Sequence, residues 1–395
     1  MRSAKGIGSP LSALALFCLL AACAHGPPRP DEGKVREFAS HGYTTEESYP
    51  TTTTLLSWAN PDGTFDAAVT VPSKAASFPL VIYLPALGEG RDAGAVWRMG
   101  WAQAGYAALA IQPLLDDATA WSSDRARAGE FAALARGRYA GKIMAARVDA
   151  LAAALTDLRR RHDEHEAPFD RIDLSRIAVT GYDLGAYTAM AIAGEHIRDA
   201  QPPAVPIQPH AVIAFSPYAD FSGAGFATRY GDMRLPVLLV TSDTDADPLG
   251  VVTSPSVREA PFQYMPAGDK YLLRLWGVPH RTLAGTLEPE AGDEARAERS
   301  PAGEGQGGSR GGGQGRRRGA GLGPMGAGPP GSGEAATTLT GTRLTATAQA
   351  IDVAAIRSVT TAFLDAYVKG DPVAREWLAR DASRWIGEHG ELRKK

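Results

Sequence analysis

The sequence predicts an α/β fold in which a mostly parallel sheet is covered by helices on both faces, and three observations carry that expectation. Short apolar runs bounded by proline or glycine recur between residues 66 and 277. Helical or loop segments separate them, and strands that alternate with helices build parallel sheets buried on both faces. The chain of 395 residues is 44% hydrophobic with a formal net charge of −3, which suits one large globular domain with accessory segments. This near-neutral balance gives no pointer to nucleic acid, and the one basic cluster, 315–319, lies in a glycine tract that reads as solvated linker.

Residues 1–22 read as an export signal. Arg2 and Lys5 precede the run "LSALALFCLLAA", which is shorter than the about 20 apolar residues of a membrane span. The run ends in Leu20-Ala21-Ala22-Cys23, which resembles a bacterial lipobox. The resemblance implies lipidation of Cys23, which becomes the mature N-terminus and attaches the protein to a membrane of the cell envelope. Ala24 after the cysteine points to the outer membrane in a Gram-negative host. Cys18 is the other cysteine of the chain, so cleavage before Cys23 leaves no pair for an internal disulfide.

Residues 23–45 are polar and proline-bearing and read as a tether. The core is expected over 46–286. Its strands are "DAAVTVP" (66–72), "PLVIYLP" (79–85), "GYAALAIQP" (105–113), "RIAVTG" (176–181), "HAVIAFSP" (210–217), "LPVLLVTSD" (235–243) and "KYLLRLWG" (270–277). A long helix is expected over 138–161, where Ile143, Met144, Ala146, Val148, Leu151, Leu155 and Leu158 follow helical spacing. The region 287–348 breaks the pattern. Fifteen of the 33 residues from 301 to 333 are glycine, too few apolar groups to offset ordering, so a disordered insertion is expected. Residues 349–395 return to order with an amphipathic helix over 356–378, whose Ile356, Val359, Phe363 and Tyr367 should complete the core.

The chemistry centres on "VTGYDLGAY" (179–187). A strand, then Gly181-Tyr182-Asp183-Leu184-Gly185, then the helix "AYTAMAIAGEHI" is the layout of a nucleophile elbow, with aspartate at its tip. Free amides at a helix N-terminus suit negative charge there. "RIAVTGYDLGAYTAM" resembles the elbow of the α/β-hydrolase superfamily, particularly its dienelactone-hydrolase-like and polyester-lipase-like bacterial members, which have serine at this point. The likeness covers roughly 66–286 and 356–380. It implies an α/β-hydrolase fold without a large cap domain and a hydrolytic site in the chain order nucleophile, acid, histidine. On that pattern Asp183 is the nucleophile position. The acid falls in "SDTDADPLG", where Asp243, Asp245 and Asp247 are all available and Asp245 is favoured. His280, in "VPHRTLAG", is the base. The oxyanion hole falls to the backbone N–H groups of Leu184 and, in "ALGEG" (86–90), of Leu87.

Aspartate changes what such a site can do. A carboxylate attacking an ester carbonyl gives an anhydride, whereas at sp³ carbon it displaces halide or opens an epoxide. The ester so formed is then cleaved by water activated by histidine. Asp183, His280 and Asp245 form a complete set for that mechanism. Superfamily enzymes of that kind, the haloalkane dehalogenases and epoxide hydrolases, share the G-x-D-x-G elbow. They commonly follow the aspartate with tryptophan, where this chain has Leu184, and they carry a helical cap, for which 218–234 is too short. Three readings therefore stand side by side: a hydrolase acting on a small ester-like, epoxide or halide substrate, a lapsed hydrolase fold serving as a binding or structural lipoprotein, and a metal-dependent or unrelated activity. No cofactor is expected. His162 and His165 in "RRRHDEHE" read as a solvated helix end rather than a metal site, and Trp97, Trp101, Tyr106 and Tyr187 as either pocket or core.

Overall fold

The computed structural model describes residues 30–60, 63–200, 206–221, 225–285 and 346–395. Cys23, the expected export signal and nearly all of the glycine-rich region expected to be disordered lie outside them. Among the described residues no helix is long and apolar enough to cross a membrane.

One open sheet of nine strands runs through the described chain: β1 (Thr51–Asn60), β2 (Gly63–Pro72), β3 (Phe78–Leu84), β4 (Ala107–Ile111), β5 (Ile172–Tyr182), β6 (Ala211–Phe215), β7 (Val237–Ser242), β8 (Lys270–Leu275) and β9 (Gly390–Lys394). Their spatial order is β1-β2-β4-β3-β5-β6-β7-β8-β9. From β4 across to β8 all neighbours are parallel; β1, β2 and β9 join antiparallel at the two sides. The expected α/β class and mostly parallel sheet are therefore the observed ones. All seven apolar runs are strands.

Two strands have no counterpart among those runs, for a physical reason. β1 pairs on one side only and stays half exposed, so its threonines replace an apolar signal. β9 is a five-residue strand at the other edge, where Gly390 and Leu392 turn inward and Glu391, Arg393 and Lys394 stay more open. Charged, short edge strands resist further pairing and carry little hydrophobic pattern.

Helices cover both faces. On one, Trp97, Trp101, Ile356, Val359 and Phe363 from helices Ala95–Gln103 and Ala346–Leu364 pack on Tyr83, Ile213 and Phe215 of the sheet. On the other, Leu151, Leu155, Leu158 and Met190 from helices Gly141–Asp163 and Leu184–Ile192 meet Leu80, Ile82, Val179 and Leu239. His162 closes the long helix by donating from Nδ1 to the Phe169 carbonyl at 3.0 Å. The C-terminal helix expected over 356–378 is interrupted. A π-turn at Asp365–Lys369 leads to Gly370 at φ 77°, and a new helix, Pro372–Arg380, begins with proline and is capped by the Asp371 carboxylate. The later part of the expected tether is also folded: helix Glu32–Ser40 lies against this region, with Phe38 stacked on Trp385 at 4.5 Å.

Between β6 and β7 the described residues hold one short helix, Phe226–Tyr230, so no cap stands there. The covering of the sheet's carboxyl ends comes from elsewhere. Between β4 and helix Gly141–Asp163 the chain forms three short helices, Leu115–Ala118, Asp124–Arg127 and Phe131–Arg138. Their Ala126, Leu134 and Ala135 join Leu87, Leu184, Tyr187, Leu249 and Val257 in a third apolar cluster over the elbow.

Candidate active site

β5 ends in the elbow, and its two glycines are required by packing. A Cβ on Gly181 would lie 2.3 Å from the Gly185 backbone, and one on Gly185 would lie 1.9 Å from the Leu84 carbonyl oxygen. The turn is thus pressed against the end of β3. Asp183 at its tip adopts φ 51°, ψ −107°, a conformation that costs a non-glycine residue about 1–3 kcal/mol and persists where the surroundings impose it. Its N–H donates to Phe215 O at 3.0 Å, and its carbonyl accepts from Tyr187 N–H at 3.0 Å. Although Asp183 occupies the N-cap of helix Leu184–Ile192, its side chain caps nothing. The carboxylate is left for other partners.

Of the three aspartates after β7, Asp245 meets the histidine. Its Oδ1 lies 2.6 Å from His280 Nδ1 and accepts from Ser216 Oγ at 3.1 Å, while Oδ2 accepts from Thr241 Oγ1 at 2.7 Å. Asp243 instead accepts from the Gly277 N–H at 2.7 Å, and Asp247 from the N–H groups of Leu249 and Val252 at 2.8 and 2.7 Å. Those two shape loops. Ser242 and Thr244 hydroxyls donate to the Val278 carbonyl, and Tyr83 and Trp97 donate to the carbonyls of Ala284 and Leu283. These bonds fix the segment carrying His280 from both sides. Trp97, Trp101 and Tyr106 are core residues.

The N–H groups of Leu87 and Leu184 donate to no other group among the described residues. Leu87 sits in a loop organised by Gln112, which donates to the Ala86 and Glu89 carbonyls, and by the Gly88 N–H, which donates to Asp117 O at 2.8 Å. Because the elbow packs on Leu84 and Pro85, both N–H groups stand at one end of β3 and β5.

Two participants gave no motif in the sequence. Arg258, from the turn Pro255–Glu259, is fully buried, with Nε 3.4 Å from Asp245 Oδ2 and Nη1 3.8 Å from Asp183 Oδ1. Tyr139 lies beside Asp183 and favours its charged form slightly. Tyr139 also packs on Tyr187 and Tyr218 at 5.8 and 4.6 Å. The three tyrosines, with Arg136 and Arg229, line a cavity of about 630 Å³. A single arginine in "PSVREAPF" carries no spacing rule; the nearest hint is a cation set among apolar and proline neighbours.

The two carboxylates differ in charge preference. Burial is the largest influence on Asp183 and pushes its carboxyl above the usual range, against the pull of His280 and Arg258; Asp247 adds to the rise. Burial also opposes ionisation of Asp245, but Arg258, the His280 hydrogen bond and Thr241 outweigh it and hold this carboxyl below the usual range. Asp245 is thus the fixed anion that orients His280, and Asp183 the more basic of the pair. An imidazole oriented by a buried carboxylate can take a proton from water, and a carboxylate at a strained tip can act as nucleophile.

No protein-family model and no curated protein sequence matches this chain.

Proposed function

We propose that the chain is a lipid-anchored hydrolase of the α/β-hydrolase type in which Asp183 is the nucleophile. One observation carries this reading: Asp183 is held at φ 51° between two sterically required glycines, in the same site as an Asp245–His280 pair 2.6 Å apart. Asp183 attacks an sp³ carbon of a small epoxide, halide or ester-like substrate, forming a C–O bond as the C–X bond breaks and X departs with its electron pair. A water molecule then attacks the carbonyl carbon of the resulting ester while His280 removes its proton. The N–H groups of Leu87 and Leu184 stabilise the oxyanion. Collapse releases the product alcohol and restores the Asp183 carboxylate with one oxygen from water. The Tyr139 hydroxyl beside Asp183 can donate to a leaving oxygen.

A second reading, a lapsed hydrolase scaffold that binds rather than turns over, is favoured by the 5% exposure of Asp183 and its engagement by Arg258 and Tyr139. Turnover in ¹⁸O-labelled water separates the two. A nucleophilic Asp183 acquires label in its carboxylate over many cycles, and His280→Ala accumulates a covalent adduct. Asp183→Asn then loses at least about 10³-fold in kcat/KM. Wild type inert on epoxides, haloalkanes and aryl esters, with ester hydrolysis gained by Asp183→Ser, would establish the lapsed reading instead.

The lipid anchor is part of the same proposal. Cys23→Ser should move the protein from the membrane fraction to the soluble fraction on cell fractionation. Retention of the variant in membranes would remove the anchor from the proposal and leave the chemistry untouched.

A further inference from the structure

Arg258 is bound mainly through oxygen atoms of the sheet's carboxyl ends. Nη1 donates to the carbonyls of Ser216 and Pro217 at 2.7 and 3.3 Å, and Nε donates to the Asp245 carbonyl at 3.1 Å. Nη2 has no hydrogen-bond partner although it is buried. Burying a guanidinium with one donor unsatisfied is costly, and carbonyl oxygens alone do not justify a full positive charge there. The charges that justify it are carboxylates. Asp245 lies 3.4 Å away on one side and Asp183 3.8 Å away on the other. Around Asp183 the other groups that matter are His280, Asp247, Tyr139 and Tyr182. Without Arg258, one imidazole would face three carboxylates.

We propose that Arg258 is the counter-cation of the elbow, a positioning residue whose one buried guanidinium is shared by Asp183 and Asp245 and keeps the Asp183 carboxylate charged and in place. This assignment holds whether or not Asp183 turns over a substrate. It distinguishes Arg258 from an arginine needed only to brace the acid loop, which would be indifferent to the residue at the elbow.

The pH dependence has a definite sign. Burial raises the folded-state affinity of Asp183 for its proton above the unfolded one. The folded state therefore takes up that proton first, and stability falls as pH rises from the unfolded value through the folded value. An opposite charge within about 4–6 Å shifts a carboxylate by about 1–3 pH units, so loss of Arg258 should carry this window upward by that amount.

The test is a difference infrared titration of the full chain, wild type against Asp183→Asn, which isolates the protonated Asp183 carboxyl band. In the wild type the band should vanish as pH rises through the Asp183 midpoint. In Arg258→Met, referred to Arg258→Met/Asp183→Asn, its midpoint should rise by about 1–3 pH units, and Arg258→Lys should restore most of the shift. In melting curves at neutral pH, Arg258→Met should lower Tm more in the wild type than in the Asp183→Asn background. Equal midpoints, or equal Tm losses in both backgrounds, would overturn the assignment. If Arg258→Met folds only with Asp183→Asn, the coupling is demonstrated directly. If it folds in neither background, Arg258→Lys decides: a Tm loss larger in the wild type than in the Asp183→Asn background supports the proposal, and equal losses overturn it.

Discussion

Asp117→Ala should destabilise the protein by about 3–5 kcal/mol, the range for stripping one partner from a buried ion pair. Asp117 is fully buried and binds two arginines: Arg138 through Nε at 2.5 Å, and Arg147, whose side chain is also fully buried, through Nη1. Arg147 spends its Nε on Thr188 Oγ1 at 2.8 Å, and its Nη2 has no partner. Burial lowers the Arg147 guanidinium from its ordinary value, and Asp117 is the main opposing influence. Without the carboxylate a desolvated cation remains in the interior. The damage should reach the site, because the backbone of Asp117 holds the Gly88 N–H beside Leu87. Denaturant titration gives the cost as a lower midpoint at unchanged slope. The double variant Asp117→Ala/Arg147→Met should recover most of the loss, since an apolar pair of similar volume replaces the charges. A single-variant cost under about 1 kcal/mol would show that water or a shifted arginine compensates.

Gly185→Ala should be severe as well, and here two effects oppose each other. In an exposed helix the change gains about 1 kcal/mol from backbone entropy and propensity. At this position the new methyl group would lie 1.9 Å from Leu84 O and 2.8 Å from Pro85 O, both backbone atoms that cannot swing aside. Overpacking of this kind costs about 1–3 kcal/mol or more, so the clash wins and the elbow moves off β3. If Asp183 is the nucleophile as proposed, a displacement of about 1 Å is enough for about a 100-fold loss of activity, and it would also part the Leu87 and Leu184 N–H groups. Gly90→Ala is the control, because a Cβ there meets nothing within 4 Å. If both variants melt and turn over alike, the tight packing of the elbow has no energetic content.

What the sequence made legible follows from which interactions leave a local trace. Central strands such as β3 and β7 are buried on both faces, so continuous apolar runs betrayed them. The elbow was legible because glycine at 181 and 185 is a steric necessity that spacing reveals. Asp245 and His280 were legible as positions after strands, and the structure pairs their side chains while Asp243 and Asp247 serve their loops. Edge strands β1 and β9 were not legible, because half-exposed strands need no apolar pattern. Arg258 and Tyr139 were not legible either. Each reaches Asp183 from an element distant in sequence, and no periodicity encodes a long-range contact. The short helices over the elbow, from Leu115 to Arg138, were missed for another reason: four- to eight-residue helices are too short for periodicity to emerge.

The folding of helix Glu32–Ser40 onto the C-terminal helices has a consequence for where the protein can work. Asp31 N–H donates to Thr347 Oγ1, and Trp385 Nε1 to Phe38 O, so the folded body begins close to Pro30. With Cys23 lipidated as proposed, the leash is the seven residues from Ala24 to Pro30, which fully extended span at most about 25 Å. A domain on so short a leash samples a thin layer of water over the bilayer. An apolar compound dissolved in that bilayer would then meet the protein by lateral diffusion in two dimensions. Its effective concentration would follow its partitioning into lipid rather than its solubility in water.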